Sequence, residues 1–424
     1  MRRIEGTLVL FLAWLGSLIA ALAVGHRLFF SLSYLFGGIL VLSFLWAWLN
    51  VHWVRVTRQV RSRHVEAGGF VEERFVLENT GPLYKLWLEL KDHSDLPLHR
   101  ASRVISHLKR GRTESWHVRT PCFRRGRFRL GPVTLMSGDP FGLFLFQKNL
   151  PLISHVVVYP MTVDLPAFYP PIGELTGGET SRRRTHYITT NVSGVRDYAF
   201  GDSFNRIHWP STARTGRLMV KEFELDPMAD IWIFLDMERR VQAGPPVDQL
   251  PLPKLPVVHW EKMPAFELPP NTEEYAVAAA ASISRHFLRQ NRAVGLVTYA
   301  NAFHRDLIQT DRGERQLTRI LELLAVVQAH GTIPLAEVLT AESLQLGRNT
   351  TAILITPAVE ADWIHAARHL AARGVQVTAV LIDPGSFGMP FNTVEAEVEL
   401  TANHIPHYIV RQGDRLEEAL ANSR

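Results

Sequence analysis

Asp236 is the residue of this chain whose position most favours chemistry, because it directly follows a short, continuously apolar run. Residues 231–235 read IWIFL, which is typical of a strand buried in a parallel sheet. Ligands of such sheets bind at the carboxyl ends of the strands. Glu238 adds a carboxylate two residues later, and Thr332, in a distant His-Gly-Thr sequence, adds a hydroxyl. Oxygen donors of this kind bind hard cations, so Asp236 with Glu238 is a candidate Mg²⁺ site.

A structural interpretation of the same residues competes with the metal site. Arg240 would repel a cation at this place. The alternative is that Asp236 pairs with Arg240 or Arg239, and that Thr332 only caps the helix containing residues 335–339. We therefore expect no cofactor, and Mg²⁺ binding is the competing hypothesis.

A second group of chemically capable residues lies in residues 194–224, the arginine–aromatic segment. It reads GVRDYAFGDSFNRIHWPSTARTGRLMVKEFE and mixes arginines and acids with aromatic rings. Such a mixture favours a fixed network of ion pairs under stacked rings. We expect Asp202 to pair with Arg206, Trp209 to be at least half buried, and the segment to clasp two domains together.

Enzymatic and nucleic-acid functions find less support in these residues. His186 and His208 each stand without a neighbouring Ser or Cys nucleophile and a third orienting group, and the chain contains no phosphate-binding G-x-x-x-x-G-K-[ST] sequence. We therefore expect no enzymatic activity. Residues 182–184 (RRR) and the arginines of the arginine–aromatic segment leave nucleic-acid binding as a third hypothesis, but nearby acids offset their charge.

The elements that precede these groups begin with a predicted transmembrane hairpin in residues 1–50. Residues 7–25 and 28–49 carry no charge, and each is long enough to cross a bilayer as a helix. Arginines flank both outer ends, at positions 2, 3, 55, 58, 61 and 63, whereas only Arg27 lies between the two runs. The positive-inside rule then places both termini and the soluble domains in the cytoplasm, anchored to the inner membrane. A cleaved signal peptide is the alternative.

The soluble part is predicted to contain two domains. Residues 51–165 show short alternating runs separated by Gly, Pro and Asn, which favour an antiparallel β-sandwich-like domain. Residues 227–424 alternate strands with helices, which favours a doubly wound α/β domain with a largely parallel sheet. Residues 166–226 join the two, and a proline-rich insertion at 243–271 is either a docking arm, a lid or a tolerated surface loop.

Net charge and cysteine content indicate where the soluble part can lie and which covalent link it lacks. The net charge of +5 suits a protein near an anionic membrane surface. The single cysteine, Cys122, excludes an intramolecular disulfide bond.

The arginine–aromatic segment resembles the signature of a bacterial family known as domain of unknown function 58. Members carry the pattern R-[ED]-Y-x-x-G-D-x-x-R-x-I-x-W-x-x-[ST]-A-R, followed by v-[KR]-E-[FY]-E. In this chain the matching residues are Arg196-Asp197-Tyr198, Gly201-Asp202, Arg206-Ile207, Trp209, Thr212-Ala213-Arg214 and Val220-Lys221-Glu222-Phe223-Glu224. The resemblance also covers Arg125-Gly126-Arg127-Phe128, Asp139-Pro140-Phe141-Gly142-Leu143, Val157-Val158-Tyr159-Pro160 and the two apolar runs, whereas Pro210 replaces a lysine that many members carry.

This resemblance implies an architecture and a role. The C-terminal domain would be a degenerate von Willebrand factor type A-like domain. The metal site of that domain would correspond to Asp236 and Thr332 here, with Glu238 and Arg240 in place of its two serines. Partners would be a MoxR-type AAA+ ATPase, the lipid bilayer and, in some cases, a transglutaminase-like membrane protein. The role would be that of a non-enzymatic, membrane-anchored adaptor or maturation factor; the alternative is a Mg²⁺-dependent binding module or an envelope scaffold. The expected interaction residues are Arg196, Asp197, Tyr198, Gly201, Asp202, Arg206, Trp209, Arg214 and Glu222.

Overall fold

Two apolar helices begin the chain in the computed structural model, which describes residues 2–170, 188–199, 204, 207–225, 230–255, 264–301, 304–348, 350–391 and 393–423. Helix α1 spans Arg2–Val24 and α2 spans Arg27–Val51. The helices approach closely at Gly37, where an added Cβ would lie 2.8 Å from the Trp14 ring. By length and composition, both helices could cross a membrane, as the sequence predicted.

The β-rich region that follows is built from short strands in three sheets. The sheet orders are β1-β3-β6, β5-β4-β8-β9 and β2-β10-β7. The strands are β1 (Val54–Val60), β2 (His64–Glu66), β3 (Phe70–Asn79), β4 (Lys85–Asp92), β5 (Arg103–Leu108), β6 (Thr113–Pro121), β7 (Gly126–Leu130), β8 (Val133–Gly138), β9 (Leu145–Leu150) and β10 (Ser154–Tyr159).

The first two of these sheets share one hydrophobic core. Phe75 and Leu77 of β3 pack with Leu88 and Leu90 of β4 and with Leu135 of β8. Both sheets are antiparallel and alternate buried with exposed side chains along their strands, as a sandwich requires. The third sheet departs from the antiparallel prediction, because β2 pairs parallel with β10.

The C-terminal half contains a two-stranded ribbon and a mixed six-stranded sheet. The ribbon is β11-β12, and the sheet order is β15-β14-β13-β16-β17-β18. The elements are β11 (Ile188–Asp197), α3 (Trp209–Thr215), β12 (Met219–Leu225), β13 (Ile231–Leu235), α4 (Thr272–Arg289), β14 (Val294–Asn301), β15 (His304–Asp311), α5 (Glu314–Val326), α6 (Leu335–Glu342), β16 (Thr351–Thr356), α7 (Asp362–Ala372), β17 (Gln376–Ile382), α8 (Val394–Ala402), β18 (His407–Val410) and α9 (Leu416–Ala419).

The sheet is parallel except at one edge. β13 pairs parallel with β14 and β16, but β15 pairs antiparallel with β14. The sheet is therefore largely parallel, as predicted from the sequence, and the antiparallel edge strand β15 makes it mixed. β15 was not predicted, because its sequence HRDLIQTD is polar and most of its side chains are only half buried at the edge of the sheet.

Contacts divide the chain into two compact units. The first comprises Met1–Thr162, Pro245–Pro269 and Leu321–Val327, and the second comprises Val163–Gly244, Pro270–Ile320 and Gln328–Arg424. Within the first unit, Phe266 of the proline-rich insertion packs against the core around Val71 and Leu130. The insertion therefore contributes to the core of the β-rich unit.

Candidate functional site

Asp236 is held at the carboxyl end of β13 by hydrogen bonds on its main chain and its side chain. Its N–H donates to the carbonyl of Ile355 (3.0 Å) on the neighbouring strand β16. One carboxylate oxygen accepts from the Thr356 hydroxyl (2.6 Å), and the other accepts from the N–H of Glu238 (3.0 Å). The Thr356 hydroxyl in turn accepts from the N–H of Ala358 (2.9 Å). The strand ends of β13 and β16 are thus joined through one buried carboxylate.

The two carboxyl groups at this edge have raised pKa values. Asp236 is 4 % exposed, and burial raises its pKa to about 6, although the bonds from Thr356 and Glu238 act in the opposite direction. Burial also raises the pKa of Glu238; the positive charge of Arg240 opposes this rise, and the negative charge of nearby Glu360 adds to it. This edge therefore holds two carboxyl groups, those of Asp236 and Glu238, whose negative charge a proton or a cation would neutralise.

The loop that carries Thr332 reaches the same edge. Gly331 pairs with Glu238 in a parallel bridge, and its N–H donates to the carbonyl of Met237 (3.0 Å). An added Cβ at Gly331 would lie 2.2 Å from the carbonyl oxygen of Tyr299, so only glycine fits this close approach. Thr332 follows immediately and is exposed. The structure thus brings the segments of both predicted metal-site residues to one place.

The positions of these residues also bear on the structural alternative. The ion pairs of the described chain do not include Asp236, whose carboxylate turns inward to Thr356 while Arg239 and Arg240 are exposed. Helix α6 begins at Leu335 with Pro334 in its N-cap position, so Thr332 does not hold that position. The residue that the sequence prediction lacks is Thr356, and its signal is a hydroxyl at the last position of a buried strand.

In the part of the chain that the structure describes, no three His, Cys, Asp or Glu side chains come together in a group that could hold a metal ion. The oxygen donors at the Asp236 edge still fit a hard cation by type, because each carboxylate oxygen has a lone pair beyond the hydrogen bond it accepts.

The arginine–aromatic segment folds as a strand, a short helix and a returning strand. β11 pairs antiparallel with β12, and Ile207 forms an isolated bridge with Val220. The N–H of Tyr198 donates to the carbonyl of Leu218 (2.8 Å), and the N–H of Met219 donates to the Thr212 hydroxyl (3.0 Å). Helix α3 is therefore fixed to the ribbon through the Thr212 hydroxyl rather than by a core of its own.

The exposure of Trp209 contradicts the prediction made for it. Its side chain is 65 % exposed, not half buried. The reason is that Trp209 begins a helix of seven residues, none of which is buried, so the helix offers no apolar face against which the ring could pack. Phe204 is exposed as well, and its ring lies 6.0 Å from that of Tyr198.

The charged residues of the segment are exposed where the structure describes them. Arg196, Asp197 and Arg214 all face solvent. One guanidinium nitrogen of Arg196 donates to the carbonyl of Asp197 (3.1 Å). Gly201, Asp202 and Arg206, with the predicted Asp202–Arg206 pair, lie outside the described residues, as do residues 182–184; Glu222 is described by its main chain, which pairs with Gly194.

Comparisons with known proteins point to one family. A model of the family described as "Protein of unknown function DUF58" matches residues 194–247. The "Uncharacterized protein YeaD" of Bacillus subtilis (strain 168) is 21 % identical over 340 residues, which cover 77 % of this chain and 75 % of YeaD.

Solved structures offer weaker likenesses. The SpaC pilus adhesin of Lactobacillus rhamnosus GG in its open conformation has 9 % identity and a TM-score of 0.31, covering 48 % of this chain and 30 % of the adhesin. The CARDB domain of a Pyrococcus furiosus protein has 13 % identity and a TM-score of 0.19, covering 25 % of this chain and 91 % of that domain. Neither likeness is close enough to carry an argument. The family match, by contrast, begins at Gly194, where the arginine–aromatic segment begins, and it confirms the resemblance seen in the sequence: residues 194–247 of this chain are similar to the DUF58 family.

Proposed function

We propose that this protein is a membrane-anchored, non-enzymatic adaptor or maturation factor that works with a MoxR-type AAA+ ATPase. In this proposal the two N-terminal helices hold it in the inner membrane, the soluble parts face the cytoplasm, and the C-terminal α/β region is a degenerate von Willebrand factor type A-like domain. The observation that carries the proposal is the exposed Trp209 in the segment that the family model matches.

An exposed tryptophan beside arginines favours protein recognition. Tryptophan, tyrosine and arginine dominate the binding energy of protein interfaces. Trp209, Arg214 and Arg217 are exposed on or directly after helix α3, and Phe204 adds a second exposed ring. The hydrogen bonds that hold α3 to the ribbon supply a preformed surface, which reduces the entropy lost on binding.

The exposed side chains of α1 and α2 support the membrane anchor. Leu8, Leu12 and Ile19 of α1, and Leu35 and Leu42 of α2, are exposed although they are apolar. A core helix of a soluble protein would bury such residues, whereas a bilayer would cover them with acyl chains. The arginines at both outer ends support the cytoplasmic orientation.

A pull-down from native membranes tests the proposal. The tagged full-length protein is recovered with and without a non-hydrolysable ATP analogue, alongside Trp209→Ala and the control Tyr169→Ala, which removes an exposed aromatic ring outside the matched segment. We expect nucleotide-dependent recovery of an AAA+ ATPase with the wild type and the control. Loss of a hot-spot residue costs about 2 kcal/mol or more, so Trp209→Ala should recover at least about tenfold less. Recovery of no ATPase, or equal recovery with all three proteins, contradicts the proposal.

A second candidate function is a Mg²⁺-dependent binding module, and the Asp236 edge favours it. Asp236, Glu238 and Thr332 would hold the ion, with Thr356 orienting Asp236 through its hydroxyl. The bound ion would supply a coordination position for an acidic group of a partner. The raised pKa of Asp236 fits this candidate, because a cation would relieve the burial of its charge.

Thermal unfolding with and without Mg²⁺ tests the second candidate. Ligand binding to the folded state raises the unfolding temperature, so Mg²⁺ should stabilise the wild type but not Asp236→Asn. Asp383→Asn is the matched control, because Asp383 is also a buried aspartate directly after a strand of the same sheet. An equal Mg²⁺ effect on all three proteins, or no effect on any of them, rules the candidate out.

A further inference from the structure

We propose that the connection between β8 and β9 with the first two residues of β9, residues 139–146, is a third membrane element that inserts into the acyl chains beside α1 and α2. These residues, the hairpin tip, read DPFGLFLF. The inference rests on the proposed function in one respect: α1 and α2 must span a bilayer. It adds that the β-rich region itself contacts lipid, through residues that do not belong to the two helices.

The hairpin tip lies directly against both apolar helices. The Thr7 hydroxyl of α1 donates to the carbonyl of Leu143 (2.5 Å). The ring of Phe44 in α2 makes edge contacts with Phe144 and Phe146, at centroid distances of 5.6 and 5.4 Å. The tip is therefore fixed to the helices on two sides.

The contacts place the tip inside the apolar span. Two apolar grooves, of about 610 and 570 Å³, flank the place where the tip meets the helices. Their walls on α1 extend from Gly6, where the uncharged span begins, to Trp14. At 1.5 Å per residue this distance is about 12 Å, which approaches the roughly 15 Å thickness of one hydrocarbon leaflet. Phe141 and Leu143 line the smaller groove.

The main chain of the tip meets the requirement that a bilayer sets for polar groups. Unsatisfied N–H and C=O groups are costly in hydrocarbon. The buried carboxylate of Asp139 accepts from the N–H groups of Phe141 (2.9 Å) and Phe144 (2.6 Å), and the Asp139 carbonyl accepts from the N–H of Gly142 (3.3 Å). Pro140 has no N–H to satisfy. Asp139 thus satisfies the donors of a turn that leaves mainly apolar side chains on its surface.

The exposed side chains change from apolar to polar between the tip and the rest of β9. Phe141 is 70 % exposed, and Leu145 is exposed beside it. The next residues along β9, at positions 147–149, are exposed and polar, and they include Lys148. An apolar end followed by a polar, basic segment matches the depth profile of a membrane surface. The grooves are lined in part by apolar residues of α1 that are exposed, Leu8 in one and Val9 in the other, so acyl chains are the partner that fits them.

Spin labels at single cysteines test the insertion in the full-length protein. Cys122, the single native cysteine, is buried and is replaced by alanine. Labels are then placed by Phe141→Cys at the tip, by Ile19→Cys in the span of α1, and by Leu344→Cys in the α/β region; all three positions are exposed and apolar. The proteins are reconstituted into phosphatidylcholine–phosphatidylglycerol vesicles. Collisions with oxygen, which partitions into lipid, are compared with collisions with a water-soluble nickel complex.

The outcomes distinguish a failure of this inference from a failure of the membrane anchor. We expect the oxygen-to-nickel ratio of Phe141→Cys to resemble that of Ile19→Cys and to exceed that of Leu344→Cys several-fold. A water-like ratio at position 141 with a lipid-like ratio at position 19 overturns the inference and leaves the anchor in place. A label at position 141 that meets neither reagent shows a protein covering the tip and also overturns it. Water-like ratios at both positions overturn the anchor and this inference together.

Discussion

Two regions of this protein combine arginines, acids and aromatic rings, and they use them in opposite ways. One is the arginine–aromatic segment. The other is a cluster inside the β-rich region, formed by Arg58, Glu73, Asp92 and His99, which we call the buried ion cluster. Arg58 pairs with Glu73 (2.9 Å) and Asp92 (3.1 Å), and His99 lies 3.1 Å from Asp92. All four side chains are at most 2 % exposed.

The buried ion cluster has the arrangement that the sequence predicted for the other region. The guanidinium of Arg58 lies 5.2 Å from the ring centre of Phe75, and Phe75 stacks on Trp116 at 5.2 Å with 9° between the planes. In the arginine–aromatic segment, Trp209 and Arg214 are exposed instead. Similar residue types therefore stabilise the fold in one region and are available to a partner in the other. The difference lies in whether two sheets enclose them.

Removing the arginine from the buried ion cluster should have the largest effect. Arg58→Met would leave the carboxylates of Glu73 and Asp92 buried without their cation, which typically costs about 3–5 kcal/mol. The measurement is the free energy of unfolding by urea in detergent micelles. Arg55→Met is the control on the same strand, because the Arg55–Glu78 pair is exposed and should be worth about 1 kcal/mol or less. Equal losses in the two variants would show that burial of the cluster is not what stabilises it.

Lys85 extends the comparison to the end of α2 and should have the next largest effect. Its ammonium is buried and donates to the carbonyls of Leu49 (2.6 Å) and His52 (3.1 Å), and burial lowers its pKa to about 8. Lys85→Met would leave these carbonyls without their donor, at a cost of about 1–3 kcal/mol. Lys91→Met, an exposed position on the same strand, should change the free energy of unfolding by roughly 0.5 kcal/mol or less. If both variants unfold alike, Lys85 does not hold the helix end.

Acid should weaken the buried ion cluster through Asp92. Burial acts to raise the pKa of Asp92, but hydrogen bonds from His99 and Ser94 and the charge of Arg58 together lower it below its ordinary value. A lowered folded-state pKa means that the carboxylate stabilises the fold above about pH 4, and that this stabilisation is lost as the pH falls through the folded-state value. Asp92→Asn should therefore flatten the fall in stability below about pH 4.

The control for this pH dependence is the neighbouring exposed Asp95, whose pair with Arg129 spans 3.5 Å at the surface. Asp95→Asn should keep the acid response of the wild type. Urea titrations at a series of pH values measure both. An unchanged slope in Asp92→Asn would mean that another group governs the acid response.

The sequence predicted the elements with strong burial patterns and missed those without one. Residues 231–235 and 351–356 are continuously apolar or β-branched, and both are strands as expected. α8 was not predicted, because VEAEVELTA alternates apolar and charged residues at the period of a strand, yet it folds as a helix. Tertiary context overrides such local signals.

The candidate sites show the same limit. The sequence indicated Asp236 by its place after a buried strand, and the type A-like resemblance added Thr332, whose neighbour Gly331 forms a bridge with Glu238. It could not show that Thr356 would turn Asp236 inward, since that bond depends on the register between β13 and β16. Nor could it show which rings are enclosed, because burial depends on the packing of distant segments.

Trp209 gives the smallest expected effect on stability, and its contrast with Trp116 gives the sharpest form of the comparison. Trp116→Ala would remove a buried ring stacked on Phe75 and should cost about 3–5 kcal/mol. Trp209→Ala would remove a ring that is mostly in solvent, so the free energy of unfolding should change by roughly 0.5 kcal/mol or less. A loss above 2 kcal/mol for Trp209→Ala would mean that Trp209 stabilises the fold, as the clasp hypothesis required. A small loss together with weaker partner recovery would separate binding from folding at this residue, because a ring that contributes little to the fold can affect the pull-down only through contact with a partner.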